Sequence, residues 1–342
     1  MVNCLAREDA GAARLLVSVR ESTVWGDGFV SSKGILKYVS PYETLLPKFD
    51  ATGHVLIFTH VPKSAGTSLD HVLSGMAAVR GLRFRRAMGT LYGIFLGAGK
   101  GDAPADFAHL QSDVLDRLDI VSGHLPFGGH ARLTHPAFYM TILREPMARL
   151  VSHFRFGVRR GGWPEARSFD DLFLEGHMID NLQTRQIAGV TDPNVPCTAA
   201  VLDQALANLR GHYGIVATTD TFDSALKALI ALFRWPDAAY SDRQVGSSEQ
   251  PDQELLARAA AAVERYFAYD RELYAQVLAR PTPWRADLFE GSANGRRRQD
   301  QVLVTSPFFR LNGRHTALLP AQAFDEAVRP VLRASGIELK IV

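Results

Sequence analysis

Only two cysteines, Cys4 and Cys197, occur in 342 residues. That is too few for a disulfide scaffold or a zinc site of four thiolates, although a single Cys4–Cys197 bridge stays open. An excess of one charge is missing as well. The 38 Lys and Arg face 36 Asp and Glu, a formal +2, so no basic field invites nucleic acid and no net charge keeps the chain unfolded. Long hydrophobic runs are absent. The apolar stretch at Leu15-Leu16-Val17 is interrupted by Arg and Glu on both sides and falls far short of the roughly 20 residues a membrane span needs. Internal repeats, low-complexity tracts and Asn-x-Ser/Thr sequons are lacking too. These absences predict a cytoplasmic protein with no transmembrane segment, and 31 Arg against 7 Lys fits a bacterial origin.

What is present suffices for a sizeable core: 46% hydrophobic and 22% charged residues, with a mean hydropathy of −0.04, read as a globular chain. Residues 1–50, punctuated by Gly26, Gly28, Gly34, Pro41 and Pro47, are expected to form an irregular N-terminal arm. Residues 51–285 form the main domain. Residues 286–342 form an extension packed on it, with a basic loop at Arg296-Arg297-Arg298, strand-like Val302-Leu303-Val304 and a helix near 321–335.

Within the main domain, Val55-Leu56-Ile57-Phe58 reads as a strand buried on both faces. The loop Pro62–Ser68 follows it, then Leu69, Val72, Leu73 and Met76 at helical spacing. Further strands are expected at 120–121, 138–143 and 215–217, and helices near 146–156, 200–210, 222–234 and 253–278. The alternation predicts a central parallel sheet flanked by helices. Two stretches, about 80–115 and 157–195, fit it poorly and read as lids or substrate walls.

The loop after the first strand is the main chemical feature. A turn of Ser64, Ala65, Gly66, Thr67 and Ser68 that enters a helix aims backbone N–H groups and the positive helix end at one point, an anion site. Lys63 adds a compact charge at its mouth. A plainly capped helix beside a solvated lysine has the same composition. The Walker A order, Lys beside Ser/Thr at the end of the loop, is not met here, nor at Gly97-Ala98-Gly99-Lys100-Gly101. A second feature lies about 80 residues on: Thr141-Ile142-Leu143-Arg144-Glu145-Pro146 ends a strand with arginine and starts a helix with proline, placing Arg144 on the carboxyl edge of the sheet, with Ser152 under two turns further on. A structural ion pair with Glu145 is the other reading of Arg144.

Together, Thr59–Leu69 resembles the 5′-phosphosulfate loop, and Leu143–Ser152 the 3′-phosphate segment, of sulfotransferases that use 3′-phosphoadenosine 5′-phosphosulfate (PAPS). The carbohydrate type, heparan sulfate 2-O-sulfotransferases and bacterial relatives, is the nearest branch. The resemblance spans about residues 54–280 and implies a three-layer P-loop-like α/β fold, with PAPS as donor, its desulfonated form PAP as product, and no metal. It implies that Lys63, Ser64, Ala65, Gly66, Thr67, Ser68, Arg144 and Ser152 bind the nucleotide. Ser122-Gly123-His124 resembles the family's His-Gly-His, which makes His124 the general base beside catalytic Lys63 and leaves Ser122 where the family has an imidazole. The acceptor is expected to be a hydroxyl of a saccharide or glycoconjugate, met by Asn181, Gln183 and Arg185. Packing roles for those three residues, and for Trp163 and Trp284, stay open. The competing functions are a non-catalytic nucleotide- or glycan-binding relative and a P-loop kinase.

Overall fold

The computed structural model describes residues 18–19, 35–40, 45–87, 112–241, 253–290, 300–305, 309–310, 316–334 and 337–342. Val55–Thr59 (β1) is buried at every residue, as a strand covered on both faces must be. With it stand Phe84–Ala87 (β2), Ile120–Gly123 (β3), Ala137–Leu143 (β4) and Tyr213–Thr218 (β5). Their order is β2-β3-β1-β4-β5, and every pairing is parallel. Between and after them run Gly66–Arg80 (α1), Pro146–Arg159 (α2), Phe169–Leu174 (α3), Leu182–Ala188 (α4), Ala199–Gly211 (α5), Phe222–Leu232 (α6), Gln253–Tyr266 (α7) and Ala268–Leu278 (α8).

Alternate residues of β1 feed opposite cores, because successive strand side chains point to opposite faces. Leu56 and Phe58 pack with Leu69, Val72, Leu73 and Met76 of α1 and with Leu226 and Leu229 of α6. Val55 and Ile57 pack with Leu202, Ala205 and Leu209 of α5 and Leu273 and Val277 of α8. The result is three layers, helices on both faces of a parallel sheet. Helices α2, α3 and α7 share a further cluster around Leu150, Phe154, Phe169, Leu172, Ala259 and Val263.

A second, mixed sheet runs in the order Thr316–Pro320, Gln301–Thr305, Asp237–Tyr240, Ile35–Val39, Glu338–Ile341. It joins strands from the arm, the main domain and the extension: Ile35–Val39 is antiparallel to Asp237–Tyr240 and parallel to Glu338–Ile341. The expected helix over 253–278 is two helices, because Phe267 leaves helical geometry (φ −129°, ψ 29°) and Asn181 Oδ1 accepts the N–H groups of Tyr269 and Asp270 at 2.9 and 3.1 Å. The 157–195 excursion carries α3 and α4. Gly97–Gly101, Arg296–Arg298 and Cys4 lie outside the described residues, and among the described residues Cys197 has no disulfide partner.

Candidate active site

The loop between β1 and α1 arrives at the carboxyl edge of the sheet, the side on which open α/β folds bind ligands. Two non-glycine residues in it adopt left-handed backbone, Lys63 at φ 68° and Ala65 at φ 59°. Such conformations cost about 1–3 kcal/mol each and persist where the surroundings enforce them. One enforcing contact is visible: a Cβ at Gly66 would run into the imidazole of His60, which lies against the loop. Ala65 is the N-cap of α1, and no side chain among the described residues caps that helix. The Ser68 N–H turns back to Ala65 O at 3.1 Å, and the N–H groups of Gly66 and Thr67, at the first two helical positions, lie ahead of the helix's own carbonyls. The Ser64 hydroxyl is buried among them without a hydrogen-bond partner in the described residues. Thr67 is half-buried and Ser68 buried.

Lys63 sets its ammonium 4.1 Å from the centre of the Phe156 ring on α2. Burial first, then Arg159, Arg144 and Arg160, push its pKa down to about 8. Cations gathered so closely lower one another's stability and favour an anion between them. Arg144, directly after β4, donates from Nη1 to the Lys63 carbonyl at 3.1 Å, which ties the two expected phosphate contacts together. Burial also lowers the Arg144 pKa. Glu145 does not pair off this group by position alone: its carboxylate accepts the N–H groups of Met147 and Ala148 at 2.9 and 2.6 Å, capping α2. Ser152 is half-buried one turn before Phe156, on the α2 face that receives Lys63.

His124 follows β3 directly and is 7% exposed. Its N–H donates to Ala87 O at 3.1 Å. Gly123 is needed beside it, since a Cβ there would meet the backbone of Ala87. The rings of His124 and His60 stand 4.8 Å apart, edge to face, so the base expected from the sequence lies against the phosphate loop. Burial, then Arg86 and Lys63, holds His60 at about 3, and burial with Arg149, Lys63 and His124 does the same to His153. Both are neutral imidazoles near neutrality. Ser122 is buried and donates to Asp70 of α1, whose other oxygen meets Arg86 Nε at 3.1 Å. Asp70, His60, Arg86 and Phe156 were not among the residues expected here. A turn motif does not reveal partners that strand register and helix phase bring in.

The polar segment 180–185 faces inward. Gln183 accepts the Arg144 N–H at 3.0 Å and donates to the Arg144 carbonyl at 2.9 Å. Asn181 caps α8, as above, and Arg185 donates to the Asp180 carboxylate at 2.7 Å and to the Val195 carbonyl. At 6%, 0% and 3% exposed, Asn181, Gln183 and Arg185 are bonded to the protein as struts, and the acceptor contact expected of them has no open group here. Trp163 packs on His153 and Phe154, and Trp284 on Phe289. Among the described residues no cluster of His, Cys, Asp or Glu could hold a metal, and no helix is long and apolar enough to cross a membrane.

The chain is thus an α/β protein whose all-parallel sheet gathers a helix end, a lysine and an arginine after its central strands. Residues 49–179, which hold that helix end, Lys63 and Arg144, match the model of the sulfotransferase family, a segment of less than half of the chain. Among solved structures it is similar to mouse sulfotransferase SULT7A1 complexed with PAP, at 14% identity and a TM-score of 0.32. The match covers 63% of this chain and 66% of that one, just under two thirds of its length. No curated protein matches the chain.

Proposed function

We propose that the chain is a PAPS-dependent sulfotransferase that moves a sulfuryl group to a hydroxyl of an acceptor, a saccharide or glycoconjugate, by in-line displacement. The observation that carries this reading is the meeting of the phosphate loop, Arg144 and His124 at one sheet edge, with Arg144 bonded to Lys63 O and the His124 ring against His60. The residues present suit a doubly phosphorylated nucleotide: Ser64 offers a buried, unpartnered hydroxyl, α1 an uncapped end, and Lys63 and Arg144 separate positive groups. PAPS, when bound, supplies the sulfuryl group and its activation.

Residues 64–68 hold the 5′-phosphate, and Arg144 with Ser152 holds the 3′-phosphate that separates this nucleotide from ATP. Lys63 neutralises charge that grows on the leaving oxygen. An imidazole nitrogen of His124 takes the acceptor's proton, work suited to a group whose ordinary pKa is about 6.5. Gln183 keeps the Arg144 backbone in place, and the neutral His60 and His153 keep competing charge away from the base.

The test is thermal stabilisation by PAP against ATP with magnesium, followed by transfer of labelled sulfate from PAPS to a panel of hydroxyl acceptors. Stabilisation by PAP alone and label transfer are expected, with His124→Ala losing at least a hundredfold in turnover while PAP binding persists. Stabilisation by ATP and magnesium but not PAP points to a kinase. PAP binding with no transfer to any acceptor points to a non-catalytic relative.

A further inference from the structure

Ser122 occupies the position where the sequence resemblance places a histidine, and the structure shows what this chain keeps there. The Ser122 hydroxyl donates to Asp70 Oδ1, and Arg86 Nε meets Asp70 Oδ2 at 3.1 Å. Asp70 is 3% exposed and Ser122 0%. The three come from different elements, α1, β3 and β2, and the register pairs Arg86 directly with Ser122. Ser122 lies in β3 and His124 directly follows that strand, its N–H on the carbonyl of Ala87, the residue after Arg86. Asp70 also acts electrostatically on His124.

We propose that Asp70 is the positioning residue of the base: its carboxylate, held by Ser122 and Arg86, fixes the strand end that presents His124 and stabilises the positive charge its imidazole gains. This inference rests on the reading of His124 as the base. Burial raises the Asp70 pKa, Arg86 and the Ser122 hydroxyl pull it back toward the charged form, and a carboxylate charge so held favours an imidazolium nearby. Asp70 on α1 and His153 on α2 act electrostatically with His124, the His60 ring stands against it, and Arg86, His71 and Lys63 act in turn on these neighbours. His60 and His153 are neutral above about pH 3, and Lys63 and Arg86 are cations. Asp70 is the acidic group that acts on the imidazole in this cluster.

The experiment follows the His124 ring directly by carbon–proton NMR in the full chain, its signal assigned by absence from His124→Ala, with and without PAP, between pH 4 and 9. Asp70→Asn removes the charge at nearly constant shape. Its His124 midpoint is expected about one unit lower than wild type, and its kcat about tenfold lower with the KM for PAPS little changed. Arg86→Gln, made at a side chain 45% exposed, keeps the test available if the first variant does not fold. Removing a cation makes protonation nearby easier, so its midpoint is expected to rise. Midpoints equal to wild type in the folded variants, or a His124 that does not titrate in this range, overturn the proposal. Shifted midpoints in a protein that transfers no sulfuryl group uphold the coupling and overturn the proposed function; unshifted midpoints in an active enzyme do the reverse.

Discussion

Lys63 sits half-buried, and burial first, then Arg159, Arg144 and Arg160, lowers its pKa to about 8. The sign of the consequence is fixed. Its ammonium is present below about pH 8 and is lost as pH rises through that value, and a bound phosphate favours the charged form. PAP affinity, measured by calorimetry from pH 7 to 9.5, is expected to be flat near 7 and to weaken from about pH 8 upward. Lys63→Gln is expected to bind about tenfold more weakly at pH 7 and to lose the alkaline decline. Lys63 and Arg144 were legible in the sequence because each ends or follows an apolar strand beside a helix start, a local pattern. Asp70 and His60 were not, because their roles depend on register: Asp70 reads as one more polar residue on α1 until Arg86 and Ser122 are paired across β2 and β3.

At the scale of elements, the sheet edge is held by a buried polar strut. Asp270, at the start of α8, accepts the Thr184 N–H and hydroxyl, both at 2.8 Å, and the Gln183 N–H at 3.3 Å. It also faces Arg149 at 3.9 Å, with the two side chains 0% and 2% exposed. Burial lowers the Arg149 pKa and raises that of Asp270 despite the pairing, so desolvation outweighs their attraction and the pair is a poor source of stability. Breaking it is another matter. Asp270→Ala leaves a buried guanidinium uncompensated and frees α4, whose Gln183 fixes the Arg144 backbone. Unfolding free energy in urea is expected to fall by about 3–5 kcal/mol, and PAP binding is expected to weaken because Arg144 loses its support. An unchanged urea midpoint would contradict this. Helices α1, α2, α5 and α6 and strands β1, β3, β4 and β5 were legible because apolar runs and periodicity mark them. The break at Phe267 was not, because the pattern runs through it and only the distant Asn181 supplies the cap.

For the molecule as a whole, the central sheet is a local product and the second sheet is not. Strands β1, β3, β4 and β5 hold apolar runs that could be read alone, whereas β2, Phe84-Arg85-Arg86-Ala87, lies in a stretch that read as a lid or wall, and Ile35–Val39 acquires its place by pairing with residues near 239 and 340, separations at which a sequence carries no periodic signal. Both sheets must nonetheless survive together for the chain to stay folded, and acid tests that cooperativity. His60 and His153 are held at about 3 in the fold, against an ordinary value of 6.5. The unfolded chain therefore binds their protons first: stability is complete above about pH 6.5 and falls as pH drops toward 3. At pH 5 the cost is about 2 kcal/mol for each imidazole, a large fraction of a typical domain's stability. Asp70 and Asp270, raised by burial, oppose this only where they take up protons ahead of the unfolded chain. Urea midpoints are expected to drop clearly between pH 7 and pH 5, and His153→Asn, which removes one of the two most strongly depressed rings, is expected to drop distinctly less over the same interval. Equal midpoints at the two pH values would mean that these imidazoles are charged in the fold, and with them a cationic, not a neutral, wall around the base.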